Sequence, residues 1–317
     1  MNLAVLDLGS TSFHLLIARI SKDGQIEPLD RRRARLHLGA SVGERGFLPP
    51  DVASLAVRTA VRLWRHADCF GVNQPVAFAT SALRDAANGD AVISRIVEAT
   101  GLDLRVLSGV EEARLGYRGA CARLRLGSRP RMVFDLGGGS LDVAGGYNDV
   151  APEWAASLPL GVSRLATRYL HDGSLNRKAH QALKCYVTAA LRPILDDARP
   201  FCGNRAAIAA GGPFRALARV LLAKRHRDHP RSLNGAWLER KEIRRLGTEL
   251  LGTSLATRLT IPGVKPQRAL HLPVAAAIAE AALDRLDLSR IRICDWGVRE
   301  ALLLESAGTL SAPEYSG

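Results

Sequence analysis

The feature that most constrains this chain is a motif that occurs twice. VLDLGSTSFHLLIA begins at Val5 and VFDLGGGSLDVAGG at Val133. Aligned on their aspartates, Asp7-Leu8-Gly9-Ser10-Thr11-Ser12 lies over Asp135-Leu136-Gly137-Gly138-Gly139-Ser140, an offset of 135 − 7 = 128 residues. That is about the length of one domain, and 317 residues accommodate two. In each copy an apolar run ends in aspartate, passes a turn rich in glycine and hydroxyl groups, and enters a second apolar run. Glycine loses more backbone entropy on folding than any other residue, so three in a row need a purpose. The chain reads as two related α/β halves.

A coarse pass places strands over 3–8, 13–19, 75–82 and 103–109 of the first half. Helices are expected over 51–69, from about Ala82, and over 111–124, while HLGASVGERGFLPP (37–50) reads as a connection punctuated by glycine and proline. LGSRPRM (126–132) carries the Gly, Ser and Pro of a junction. The expected domains are therefore 1–125 and 126–297, with a terminal helix at 298–310 that packs back on the first. The second half continues with strands at 156–161, 206–212 and 291–297. Its helices are expected over 162–170, 178–198 with an interruption at Pro193, 214–224, 240–258, 274–286 and 298–308.

Composition removes several classes. Hydrophobic residues make up 47% and charged residues 24%, the balance of a globular chain. No segment reaches the ~20 apolar residues of a membrane span, and the N-terminal run lacks the basic start of a signal peptide. Cys69, Cys121, Cys185, Cys202 and Cys294 are scattered and odd in number, which points to a reducing, cytoplasmic home. The net charge of +13 favours polyanionic partners, and the arginine-rich clusters are RRRAR (31–35), KRHRDHPR (224–231) and ERKEIRR (239–245). With 5% aromatic residues, stacking platforms for nucleic acid are scarce. Inorganic polyphosphate, charged but without bases, fits better.

An aspartate at a strand end followed by glycines and hydroxyls suits phosphate binding, because glycine lets backbone N–H groups converge on an anion. Ser10, Thr11, Ser12 and Ser140 would add donors, with Gly9, Gly137, Gly138 and Gly139 shaping the cradles. Asp7 and Asp135 would hold Mg²⁺ through its water shell. Either loop alone could be an ordinary hairpin turn, but two matching copies resemble the facing loops of actin-like ATPases and sugar kinases. That is a ribonuclease H-like fold, two domains with an interdomain cleft. Glu111 and Glu112 begin a helix, where acids are favoured anyway, yet one of them can project toward such a cleft as a base. Asp142 lies two residues past Ser140 and shares its face on the returning strand, either as a solvated acid or as part of the site.

Several segments together resemble the exopolyphosphatase and guanosine pentaphosphate phosphatase (Ppx/GppA) family over nearly the whole chain. They are DLGSTSFHLLIA, ATSALRDA (79–86), LSGVEEARLGYRGA (107–120), FDLGGGSLDVAGG, SLPLGVSRL (157–165), AAGGPFRALAR (209–219) and DWGVREALLL (295–304). The resemblance implies Mg²⁺-dependent hydrolysis of a terminal phosphoanhydride. It implies Glu112 as catalytic base, Asp142 as supporting acid, Asp135 and its glycines as metal and phosphate loop, and Asp7, Gly9 and Ser10 as the opposing loop. Arg84 would present a planar donor fork to phosphate. The chain departs from the family at Asp142, where a glutamate is usual, and at Thr11, where asparagine is usual. It departs again at Gly211-Gly212-Pro213, where Gly-Gly-Thr is usual, and near Leu270, His271 and Ala275. These last changes weigh against guanosine penta- or tetraphosphate as ligand more than against polyphosphate. A guanosine pentaphosphate phosphatase, a binding-only sensor and a kinase stay open as alternatives, as does a homodimer.

Overall fold

The computed structural model describes residues 2–72, 74–225 and 232–310. The chain divides into two compact units: residues up to Leu115 together with those from Val298 on, and Gly116–Gly297. In the first unit the strands are β1 (Asn2–Leu8), β2 (Ser12–Ile20), β3 (Ile26–Arg35), β4 (Gln74–Ala79) and β5 (Leu104–Val106). Its helices are α1 (Leu38–Arg45), α2 (Pro50–Asp68), α3 (Ser81–Asp85), α4 (Gly89–Thr100) and the first turns of α5 (Gly109–Leu124). The sheet runs β3-β2-β1-β4-β5, with β1, β2 and β3 antiparallel and β4 and β5 parallel to β1.

Strands β1 and β2 are apolar on both faces because both faces are covered. Ala4, Leu6, Leu8, Phe13, Leu15 and Ile17 share a core with Ala53, Ala56, Ala60 and Leu63 of α2. The C-terminal helix of this unit packs against β1, β2 and β4, on the face that carries Leu3, Val5 and Leu16.

The second unit repeats the plan. Its strands are β6 (Arg131–Leu136), β7 (Leu141–Gly146), β8 (Trp154–Leu158), β9 (Ala206–Ala210), β10 (Trp237–Glu239) and β11 (Arg290–Ile293), in the order β10-β11-β9-β6-β7-β8. β6, β7 and β8 are antiparallel, and β9 and β11 continue parallel to β6, which reproduces the arrangement of the first sheet. Its helices are α6 (Val162–Tyr169), α7 (Arg177–Leu191), α8 (Leu195–Ala198), α9 (Gly212–Arg225), α10 (Arg240–Glu249), α11 (Leu255–Leu259), α12 (Pro266–Ala269) and α13 (Leu272–Arg285). The last helix among the described residues is α14 (Val298–Ser306), the covering helix of the first unit. Helix α13 is buried almost all round and packs against α7, α9 and α10. Its one buried acid, Glu280, is balanced by Lys184 at 2.7 Å and Arg244 at 3.0 Å.

Four expectations need correction. The division between units falls inside α5 rather than at 125/126, because the second half of that helix is bound to the second unit. A Cβ at Gly119 would stand 2.3 Å from the Gly297 carbonyl oxygen, so the helix needs glycine there to lie this close. Tyr117 Oη also donates to Asn148 O at 2.7 Å, and Arg123 pairs with Asp295 at 2.8 Å. Residues 37–50 contain α1, which buries Leu38 and Val42 one turn apart and ends at Gly46 with φ 73°. Residues 240–258 form two helices, separated at Gly252 (φ 67°) and restarted by Ser254, whose hydroxyl accepts from Thr257 N. Strands β3 and β10 had no periodic signal, since both are sheet edges held by backbone pairing more than by burial. The interruption at Pro193 is a single 3₁₀ turn, Arg192–Ile194.

Candidate functional site

Each sheet places one aspartate-glycine loop at the end of its central strand. In the ladders Asp7 stands opposite His14, and Asp135 stands opposite Asp142, the same offset the sequence repeat has. The two loops are therefore equivalent in register, not only in composition.

In the first unit the Gly9–Thr11 turn is tied outward by its carbonyls. Leu36 N and His37 N donate to Thr11 O, both at 3.1 Å, and Gly39 N donates to Ser10 O at 2.9 Å. Ser10 Oγ lies 2.5 Å from Ser81 Oγ at the start of α3, which fastens the loop to that helix. Arg84, at the other end of α3, donates through Nη1 to Glu112 Oε1 at 2.6 Å and to Leu107 O at 2.7 Å. The loop, Arg84 and Glu112 are thus coupled through one short helix. Asp7 has Arg299 Nε of α14 at 3.8 Å, and Ser12 Oγ accepts from Arg33 Nε and Nη2 at 3.0 and 2.8 Å.

The two glutamates separate cleanly. Ser108 and Glu111 form a reciprocal cap at the start of α5: Ser108 N donates to Glu111 Oε2 at 2.8 Å, and Glu111 N to Ser108 Oγ at 3.2 Å. Burial alone would raise the Glu111 pKa, but the Ser108 N–H and Arg105 hold its carboxyl below the usual carboxylate range. Glu112, about 100° further round the helix, is 7% exposed and faces Arg84 instead. Arg84 is therefore engaged with a carboxylate and a carbonyl, not presented as a free fork.

In the second unit the Gly137–Ser140 turn is closed by Gly137 N donating to Ser140 O at 3.0 Å. Its carbonyls point into the start of α6: Val162 N donates to Gly137 O at 3.1 Å, and Ser163 N to Gly138 O at 2.9 Å. Gly161 lets this happen, because a Cβ there would stand 2.3 Å from the Gly138 and Gly139 backbone. With the carbonyls turned away, the amides of Gly138 and Gly139 have no hydrogen-bond acceptor among the described residues. Adjacent unbonded amides make an anion cradle.

Asp142 is 5% exposed, accepting from Ser140 Oγ at 3.1 Å and from Ser157 Oγ of β8 at 2.5 Å. Asp135 and Asp142 stand directly opposite each other in the ladder, which puts two carboxylates on one face of the hairpin. The donors are hard oxygens, the type Mg²⁺ takes, and Mg²⁺ with retained waters and phosphate oxygens needs only one or two carboxylates. No group of three or more His, Cys, Asp or Glu side chains that could hold a metal ion occurs among the described residues. The donor set fits Mg²⁺ bound together with phosphate. Asp7, beside Arg299, is partly neutralised already.

Sequence reasoning missed Ser81, Ser157, Arg33 and Arg299. Ser81 follows a strand end directly and was legible in ATSALR, whereas the others depend on strand pairing or on a helix returning from the far end of the chain. Of the arginine clusters, Arg244 pairs with Glu280 and Asp284, and Arg225 with Glu242. Residues 226–231 of KRHRDHPR lie outside the described residues.

The Ppx/GppA phosphatase family model matches residues 16–310. Exopolyphosphatase 1 of Mycobacterium leprae (strain TN) is 33% identical over 309 residues, covering 96% of this chain and 89% of that protein. Exopolyphosphatase 1 of Mycobacterium tuberculosis (strain H37Rv) is also 33% identical, with 96% and 88% covered. Among solved structures, an exopolyphosphatase from Cytophaga hutchinsonii superposes with a TM-score of 0.86 at 25% identity, over 98% of this chain and 99% of that one. A Ppx/GppA member from Aquifex aeolicus superposes with a TM-score of 0.79 at 23% identity, with 99% of each chain covered. The two-unit α/β fold class expected from the repeated loop holds, each unit carrying its own mixed sheet.

Proposed function

Because this chain belongs to the Ppx/GppA phosphatase family, we propose that it is a cytoplasmic exopolyphosphatase. It releases orthophosphate from the ends of inorganic polyphosphate by Mg²⁺-dependent attack of water. The observation that carries this reading is the register-equivalent pair of aspartate-glycine loops, one of them with the unbonded amides of Gly138 and Gly139. The relatives named exopolyphosphatase support it.

In this mechanism Glu112 accepts the proton of the attacking water. Its carboxylate is held by Arg84, whose Nη1 lies 2.6 Å from Glu112 Oε1. An arriving phosphate competes for the guanidinium, so substrate itself frees the carboxylate to act as base. Asp142, held by two serine hydroxyls, keeps Ser140 in one orientation and shares the acidic face with Asp135. In the second loop Asp135, with Asp142 facing it, would hold Mg²⁺, which would supply charge neutralisation at the phosphate oxygens, and Asp7 is the equivalent candidate in the first loop. Gly9, Ser10, Thr11 and Ser12 in one unit and Gly137 to Ser140 in the other offer donors to phosphate oxygens. Most of the rate then comes from positioning and electrostatics.

The test is orthophosphate release from long-chain polyphosphate, tripolyphosphate and guanosine pentaphosphate, with and without Mg²⁺ and with no acceptor present. Mg²⁺-dependent release from polyphosphate is expected. Faster release from guanosine pentaphosphate would make the chain an alarmone phosphatase instead. Binding without release from any of the three would make it a sensor.

A further inference from the structure

The RRRAR cluster is not used by the mechanism above, and its placement on β3 divides it by face. Phe13, Leu15 and Ile17 pair with Ala34, Arg32 and Asp30, on the side covered by α2. There His66 of α2 meets Asp30 at 2.6 Å and Arg32 at 3.2 Å. Ser12, His14 and Leu16 pair with Arg35, Arg33 and Arg31, on the opposite side. That side is also the face of Asp7, since Asp7 pairs with His14. Three arginines therefore stand in a row on the face of the phosphate loop, at alternate positions about 6.7 Å apart.

The row begins at the loop. Arg35 is opposite Ser12, Arg33 bonds the Ser12 hydroxyl through two nitrogens, and Arg31 is the most distant. All three are exposed, and Arg31 and Arg35 form no ion pair among the described residues. Their field reaches neighbouring groups: burial pushes the His37 imidazole below its usual pKa, and the charges of Arg35 and Arg33 push it further. The row is not a property of the fold. Strand β8 occupies the corresponding place in the second sheet and reads WAASL, with Ser157 opposite Asp142.

We propose that Arg31, Arg33 and Arg35 form a track along β3 that grips the internal phosphates of a polyphosphate chain extending from the Gly9–Ser12 loop. This rests on the exopolyphosphatase reading and adds to it a device for preferring long chains. A chain of three phosphates engages the loop and at most the near end of the row, whereas a long chain reaches Arg31. Exposed charges along a strand edge also suit a polymer that must advance after each cleavage, because each contact is individually weak.

The experiment compares kcat/KM for long-chain polyphosphate and for tripolyphosphate at low ionic strength. It uses the wild-type protein, an Arg31→Gln/Arg35→Gln variant, and a control variant with Arg32→Gln and Arg58→Gln, Arg58 being an exposed arginine of α2, which also removes two charges but on the α2 side. The long-to-short ratio is expected to fall about tenfold in the first variant and to stay within about twofold of wild type in the second, given the modest worth of exposed charge contacts. An unchanged ratio in the first variant, or equal losses in both, overturns the track. Wild-type protein that releases orthophosphate from neither polymer overturns the proposed function, and the track falls with it.

Discussion

Glu111 and Glu112 are adjacent and chemically identical, yet their surroundings give them different work. Glu112→Gln keeps size and polarity but cannot take a proton, so kcat should drop by ~10²–10⁴-fold while polyphosphate affinity is retained. Near-normal turnover in that variant would remove Glu112 from the mechanism. Glu111→Gln should leave kcat within a few-fold of wild type and act on stability instead. The folded pKa of Glu111 is lowered from 4.5, so its contribution is present above that value and is lost as pH falls through the lower folded pKa. Melting curves of wild type and Glu111→Gln should therefore differ at neutral pH and converge in acid. A difference that persists unchanged at low pH would mean that the Ser108 cap does not depend on the carboxylate.

At the scale of elements, the β6–β7 hairpin and its α6 support define the second loop. Asp135 and Asp142 oppose each other across the hairpin, so Mg²⁺ bound at this pair should raise the wild-type melting temperature, because an ion held only by the folded state stabilises it. Asp142→Asn removes one charge and keeps an oxygen acceptor for a serine hydroxyl. It should shrink the Mg²⁺-dependent shift and impair turnover strongly; an undiminished shift would place the ion elsewhere. Asp142 is buried against Ser140 and Ser157, so Asp142→Glu must also fit an extra methylene, which typically costs ~1–3 kcal/mol in a packed site. Gly161→Ala tests the loop's other support. The backbone of Gly161 is ordinary at φ −68°, so the effect would come wholly from a Cβ 2.3 Å from the Gly138 and Gly139 backbone. A displacement of ~1 Å in a phosphate loop can cost ~10²-fold in kcat/KM, with secondary structure retained in circular dichroism. Wild-type kinetics in Gly161→Ala would show that the loop's position is not what matters.

For the whole molecule, the net charge of +13 sets one expectation. Polyphosphate affinity should fall steeply as salt rises, since screening acts on every arginine and lysine contact at once. Affinity that stays flat between low and high ionic strength would make the basic surface a bystander. The sequence by itself determined the doubling, both aspartate-glycine loops, the core strands and most helices, because each is written locally: a repeat is self-similar, and buried strands and amphipathic helices carry their own period. It also placed Glu111 and Glu112 at a helix start, though not which of them is the cap. Only the tertiary structure decided that Arg33 reaches Ser12, that Arg84 is engaged by Glu112, and that α5 belongs mostly to the second unit. Strand β3 shows why. Its sequence, IEPLDRRRAR, has no apolar alternation, so its existence and the face on which each arginine stands come from pairing with β2. A local pattern records what a segment buries, whereas an edge strand is held by the backbone of its neighbour, which no window of its own sequence contains.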